Sequence, residues 1–425
     1  MKRLLLFPFY WCLALSAGTN APEVSQSTAV PENGTSLVRE ALEHNSEIRF
    51  FEAELQAAKA NRKIAAQFQQ PELSGSVGQK RSTDPAGSTL GDGVAWSVGL
   101  AQTFEWPGRM GLRKAIANQD VNLAELGLER FRTALGSSVR KQAHALASAR
   151  QRAQVAREVA DRLQALREVL IQRDPAGITP QLEIRVIEAT ELSLRRRATD
   201  AQLAAENARL ALNLFIGRQP DRALVIVDSD VLPGDLPPLA DLASAAQTNN
   251  FELHLRTAEL EQQGFKVRLA QNEKWPAFTV GPQYTEENAG GQDRIIGVGI
   301  SFPLPLWRNN SAHVDAAKAR QMQAQSILDT AQREISRKIA AALIAYETRR
   351  QEIAHWRSDS VKQFADAAEL ADRHYRLGAV PATTYIELQK QYLEAVETLL
   401  EGQREAIAAA AELEELTGLH FLATP

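Results

Sequence analysis

Apolar positions along the chain switch between two periods, one helical and one extended. From Thr35 to about Phe68, Leu37, Ala41, Ile48, Phe51, Leu55 and Ala58 recur at helical spacing until Pro71 ends the pattern. Leu73 to Gln79 predicts a strand and Lys80 to Gly93 a polar loop. Val94 to Phe104 predicts the clearest strand of the chain. Val94, Trp96, Val98, Leu100, Gln102 and Phe104 fall on one face, and Ala95, Ser97, Gly99, Ala101 and Thr103 on the other. Arg109 to about Arg173 then runs without proline for some 65 residues, about 95 Å of helix. Leu146, Ala149, Ala153, Ala156, Ala160 and Leu163 follow heptad-like spacing within it. A Gly/Pro turn at Asp174 to Pro180 ends the long helix, and Thr179 before Pro180 supplies an N-cap and first-turn pair for a return helix to Phe215.

The second half predicts the same order. A leading helix spans Leu239 to Asn272. Phe278, Val280 and Tyr284 alternate with Thr279, Gly281 and Gln283. After the loop Glu287 to Asp293, Ile296, Val298, Ile300 and Phe302 alternate with Gly297, Gly299 and Ser301 until Pro303 and Pro305 close the strand. A second long helix is expected from Ser311 to about Leu377, with Val361, Phe364, Ala368, Ala371 and Tyr375 on its seam, and a return helix from Thr384 to Thr417. Thr179 matches Thr383, Leu182 matches Ile386 and Glu183 matches Glu387, an offset of 204 residues. The chain therefore reads as a duplicated helix–strand–strand–long helix–helix unit, mainly α with a small β part. The expected repeats are 35–217 (strands about 72–79 and 94–104) and 239–421 (strands about 277–286 and 294–303), joined by a linker at 218–238. One leading and one return helix together match a long helix in length, so the two short helices are expected to stack coaxially beside it.

Alternating strands also suit an ordinary sheet with one face on a soluble core. Three features favour a bilayer. The strands are about 9 to 11 residues long, enough to cross at a tilt. One face is Gly, Ser, Thr and Ala, suited to a wet lumen. The large face carries no charge, where Arg or Lys at mid-membrane would cost about 2–4 kcal/mol. Four strands cannot close a barrel, and an open edge in lipid leaves backbone groups unpaired, so spanning requires two, three or four copies. An eight-strand interior fills with side chains, so a conducting pore needs at least three. The helices by themselves would also suit an antiparallel coiled-coil rod, a periplasmic adaptor or structural element.

Composition narrows the chemistry. Lys2 and Arg3, the apolar run Leu4 to Leu15 and Ser16-Ala17-Gly18 form an export leader over 1–18, followed by a flexible segment at 19–34. The single cysteine, Cys12, lies in this leader behind Phe9, Tyr10 and Trp11, where a lipoprotein leader carries small residues; no lipid anchor is expected. The net charge of −4 has both signs interleaved, which gives no reason to expect nucleic acid. The seven histidines lack an i, i+4 pair, only Met110 and Met322 follow the initiator, and no phosphate-binding glycine loop precedes a helix. The expectation is no enzyme, no cofactor and no metal site.

The turn Tyr375 to Gly378 with Thr384 to Ala395, and the joints Val98 to Arg109 and Gly299 to Ser311, resemble the TolC-like outer-membrane efflux family over essentially the whole mature chain. The run Pro303 to Asn309 is most similar to the CzcC-type branch that serves heavy-metal pumps. The resemblance implies a homotrimer with one twelve-strand transmembrane β-barrel on a periplasmic α-helical tunnel. It also implies a periplasmic adaptor and an inner-membrane resistance-nodulation-division pump as partners. Divalent heavy-metal cations are the expected substrate, with drug efflux or type I secretion the alternative within the family. On this reading Ser97, Gly99, Thr103, Gly297, Gly299 and Ser301 line the lumen, and Trp96, Val98, Leu100, Val298 and Ile300 face lipid. Gly177, Thr179, Glu183, Arg185, Arg376, Gly378, Thr383 and Glu387 form the periplasmic tip, its gate and the adaptor contact. Glu183 and Glu387 are candidates for an acidic ring with Arg185 and Arg376 as partners; ordinary solvated helix charges are the other reading.

Overall fold

The computed structural model describes residues 31–173, 181–226, 232–304, 310–356, 360–377 and 379–421. Each half begins with two helices rather than one. In the first, α1 (Gly34–His44) and α2 (Ser46–Ala65) meet at Asn45; in the second, α5 (Leu239–Asn249) and α6 (Phe251–Asn272) meet at Asn250. The expected continuous leading helices are thus corrected, and the reason is capping. Asn45 and Asn250 adopt extended backbone, and their side chains accept from Glu47 N and Leu253 N to start the second helix of each pair.

The same two asparagines organise the helical stacks. Asn45 Nδ2 donates to Phe215 O at 3.0 Å, near the end of the return helix α4 (Gln181–Ile216). Asn250 Nδ2 donates to Leu416 O at 2.8 Å, near the end of α9 (Ala382–Thr417). Each asparagine therefore caps the N-terminus of one helix and satisfies an orphan carbonyl of the next. Each return helix then stops at a left-handed glycine, Gly217 (φ 82) or Gly418 (φ 67). A Cβ on Gly217 would lie 2.9 Å from His44 O, and one on Gly418 would lie 2.8 Å from Asn249 Cβ. Through Asn45 and Asn250 each return helix ends at the start of α2 or α6, while α1 packs on α3 and α4, and α5 on α7 and α9.

Beside the first stack runs α3 (Arg109–Arg173), an uninterrupted helix of 65 residues. Its counterpart is divided into α7 (Asn310–His355) and α8 (Ser360–Arg376), with 357–359 outside the described residues. The expected helix from Ser311 to Leu377 is found over these two described segments. Leu37, Ala41, Ile48, Leu128, Leu135, Val139, Leu146 and Leu212 form the core of the first stack. Leu242, Ala246, Leu253, Leu328, Ile335, Leu343 and Leu413 form that of the second. Towards the tip, Ala153, Ala156, Ala160 and Leu163 of α3 join Ile187 and Leu194 of α4, Ala368 and Ala371 of α8, and Tyr385 and Leu393 of α9 in one core. Small residues on α3 let the helices approach closely. Phe364, expected on the seam, is exposed instead.

The linker is fastened to both halves. The short strands β1 (Pro31–Glu32) and β4 (Val225–Ile226) pair in parallel, and Tyr346 Oη donates to Gly234 O at 3.1 Å. The principal sheet is antiparallel in the order β2 (Glu72–Thr83), β3 (Thr89–Phe104), β5 (Phe278–Asn288), β6 (Gln292–Ser301). Lys80 to Gly93, expected as a loop, is mostly strand: the hairpin turns only near Asp84 to Ser88, and Arg81 pairs in register with Asp92. Strands β2 and β6 each have one paired side only, so the sheet is open.

Candidate functional site

The register sorts the sheet residues into two faces. Opposite partners share a face in an antiparallel ladder. Leu73 faces Leu100, Val77 faces Trp96, Val98 faces Tyr284, Val280 faces Ile300 and Pro282 faces Val298. Trp96, Val98, Leu100, Val298 and Ile300 thus lie on one continuous apolar surface that the single chain leaves exposed. The opposite face pairs Ser74 with Gly99, Ser76 with Ser97, Thr103 with Thr279, Gly281 with Gly299, Gln283 with Gly297, and Thr279 with Ser301. All six residues expected to line a lumen stand together there. Hydroxyls bond across it, Ser76 Oγ to Ser97 Oγ at 2.9 Å and Thr103 Oγ1 to Thr279 Oγ1 at 3.0 Å. Ile295, opposite Thr285, is the large apolar exception on this face.

The apolar surface is bounded at both ends. Towards the hairpins it meets Arg81 and Asp92, whose side chains pair at 2.7 Å, and Glu286 opposite Arg294. Towards the helices it meets aromatic rings. Phe104 stacks on Phe278 with centroids 5.6 Å apart, and Trp106 on Trp275 at 4.9 Å and 13°. Arg109 Nη2 donates to Trp275 O at 2.6 Å and fixes this joint between the halves. On β3, Val94 to Phe104 rises about 33 Å along the strand, which a tilt near 40° reduces to about 25 Å; on β5 the uncharged stretch is shorter, Phe278 to Tyr284, because Glu286 lies opposite Trp96. Aromatic rings thus flank the band at both ends, Phe104, Phe278, Trp106 and Trp275 towards the helices and Trp96 with Tyr284 towards the hairpins, with the charges beyond the latter pair.

At the other end of the helices, the second return helix is embedded. Gln389 on α9 is fully buried and its Nε2 donates to Ala368 O of α8 at 2.8 Å. Tyr385 is fully buried too, and burial, then the neighbouring Asp372 carboxylate, push its hydroxyl well above the ordinary phenol value. Arg162 on α3 opposes that shift. Among the described residues, Arg162 Nη1, Asp372 Oδ1 and Gln389 Oε1 are buried without a hydrogen-bond partner.

The tip residues singled out from sequence fall differently. Gly177, Thr179 and Gly378 lie outside the described residues. Glu183 lies on α4. Arg185 is exposed and its Nη1 donates to Glu188 Oε2 at 2.8 Å. Arg376 Nε donates to Asp372 Oδ2 at 2.8 Å. Thr383 and Glu387 are exposed on α9, with Glu387 accepting from Gln391 at 3.0 Å. Each arginine is thus paired on its own helix. Tyr385, Gln389, Asp372 and Arg162 escaped sequence reasoning; the available signal was an aromatic and an amide at i, i+4 on one face of the return helix.

No helix among the described residues is long and apolar enough to cross a membrane. No group of three or more His, Cys, Asp or Glu among them is placed to hold a metal ion. No curated protein sequence matches the chain. Solved structures match it closely in fold. CusC, whose structures record conformational changes accompanying folding and transmembrane channel formation, shares 18% identity over 93% of this chain and 95% of its own, with a TM-score of 0.73. The CmeC outer membrane channel of Campylobacter jejuni shares 17% over 91% of this chain and 86% of its own (TM-score 0.73). The MtrE outer membrane channel of Neisseria gonorrhoeae, in its open state, shares 20% over 91% and 89% (TM-score 0.69). The family model for outer membrane efflux proteins matches residues 37–218 and 242–419, both repeats in turn. The chain therefore belongs to the outer membrane efflux protein family, the TolC-like channels, and is not an enzyme.

Proposed function

We propose that three copies of this chain form the outer-membrane duct of a tripartite efflux pump. The carrying observation is the sheet: four strands, two unpaired edges, and one exposed face with no charge between its aromatic and ionic borders. Joining β6 of one copy to β2 of the next would satisfy every edge and give a twelve-stranded barrel. Trp96, Val98, Leu100, Val298 and Ile300 would then face lipid. Ser97, Gly99, Thr103, Gly297, Gly299 and Ser301 would line an aqueous lumen.

A second feature supports the same assembly. Leu192, Leu203, Leu210 and Leu214 are exposed on α4 at spacings of 11, 7 and 4 residues, which places them on one helical stripe. A neighbouring copy would cover that stripe. The duct is passive. The turns flanked by Gly177, Thr179, Glu183 and Arg185, and by Arg376, Gly378, Thr383 and Glu387, would form the tip that meets a periplasmic adaptor. Adaptor docking would favour an open arrangement of α8 and α9 over a closed one. An inner-membrane pump of the resistance-nodulation-division class would supply the driving force.

For cargo we propose divalent heavy-metal cations, on the likeness of Pro303 to Asn309 to the metal-pump branch. The test is a deletion strain grown under zinc, cobalt, cadmium, copper or drug stress, with the protein followed by membrane fractionation. Loss of metal tolerance alone, with a trimer in the outer-membrane fraction, is the expected result. Loss of drug tolerance alone would overturn the cargo, and a soluble monomer would overturn the duct.

A further inference from the structure

The small-residue face of the sheet is uncharged over most of its length. Its charge is concentrated near the hairpin end, where Lys80, Glu287 and Asp293 stand at successive positions across the strands; Glu72 stands alone at the helix end. The ladder fixes the placement. Lys80 lies opposite Gly93, Glu287 opposite Ala95, and Glu287 opposite Asp293. Gly93 has no side chain, and a Cβ there would collide with Asn288 O. The Lys80 ammonium can therefore cross β3 and reach both acids: it pairs with Glu287 and lies 3.8 Å from Asp293 Oδ2. All three side chains keep access to solvent.

We propose that these residues form a charged belt at the outer mouth of the lumen and bias the duct towards cations. The proposal rests on the barrel reading above and adds the sign of the ions that its mouth favours. Each copy contributes one positive and two negative charges, so three copies give a belt of net −3. That sum is independent of which ion pairs form once neighbouring copies adjoin. Rings of acidic side chains favour cations in narrow aqueous pores because the low-dielectric wall leaves their field only partly screened. Lys80 sets the strength of the bias: without it the belt would be −6, and without both acids it would be +3.

The experiment is reversal potential in planar bilayers under a potassium chloride gradient, with wild type, Lys80→Gln, and Glu287→Gln combined with Asp293→Asn. All three share the same tip, so differences between them report the mouth. Cation preference should rise several-fold in Lys80→Gln and fall to parity or invert in the double variant. The spread should shrink in 1 M salt, where the Debye length is about 3 Å. Equal reversal potentials in three conducting trimers would overturn the belt alone. Chains that enter the membrane only as monomers, with no trimer formed, would overturn the duct, and the belt with it.

Discussion

The two repeats agree in the sheet and disagree along the helices. In the sheet each contributes one hairpin with the same two faces, and Val98 and Val298 lie on the same apolar surface. Along the helices, the α9 residues Leu393, Val396, Leu400 and Ile407 are buried within the chain. On α4 the leucines at 192, 203, 210 and 214 are exposed. At the tip, Gln389 is buried, whereas Arg185, its counterpart in the duplicated motif, has 79% of its side chain exposed. A duplicated sequence therefore supplies equal wall segments but unequal helices. One set packs inside the chain and the other is left exposed.

The largest expected effect tests the agreement. Val98→Asp and Val298→Asp should each abolish outer-membrane trimers, because either carboxylate would face hydrocarbon. Membrane fractionation reads this directly. Normal insertion of one variant but not the other would show that the repeats are not equivalent in the sheet. The next effect tests the difference. Leu203→Lys with Leu210→Lys should leave the chain folded but lower the yield of trimer in detergent. Ile407→Lys on α9 should instead destabilise each chain, since it places an ammonium in a buried site. If both changes gave the same mixture of monomer and trimer, the exposed stripe would not be an interface.

Much of this asymmetry could not be seen in the residue pattern. The spans of α3, α4 and α9 were legible from helical periodicity bounded by Gly and Pro, and the sheet faces from strict alternation. The breaks at Asn45 and Asn250 were hidden because Leu37, Ala41 and Ile48 keep helical spacing straight through the cap. The cap signal was present, an asparagine followed by Glu47 or Glu252 in the first turn. The full length of β2 and β3 was hidden because Lys80, Arg81 and Asp92 continue the strands beyond the apolar band, where cross-strand ion pairs replace hydrophobic alternation. Burial of Gln389 was illegible because a glutamine reads as surface until Ala368 O is placed beside it. That burial gives a third, smaller effect. Gln389→Ala should cost about 1–3 kcal/mol by removing the hydrogen bond to Ala368 O and leaving a cavity at a fully buried site, while Arg185→Ala should stay within about 0.5 kcal/mol. Chemical denaturation of the two variants would distinguish them.

The smallest expected effect lies at the stack junctions, where the repeats share the asparagine and the glycine but not the clamp. In the first, Arg218 beside Glu40 holds the carboxyl below its ordinary value of 4.5, chiefly through the hydrogen bond and against the cost of burial. In the second, the corresponding positions are Ala245 and Leu419, which carry no charge. A carboxyl whose folded-state value is depressed stabilises the fold above its unfolded value and loses that contribution as pH falls through the folded one. Glu40→Gln should therefore lower the apparent melting temperature near pH 7 by about 2 °C. The gap between variant and wild type should narrow steadily below pH 4.5 and close in stronger acid. Ala245→Gln in the second junction should show no such pH-dependent gap. A constant difference for Glu40→Gln at every pH would mean that packing at the junction, rather than the charge of Glu40, holds the first stack together.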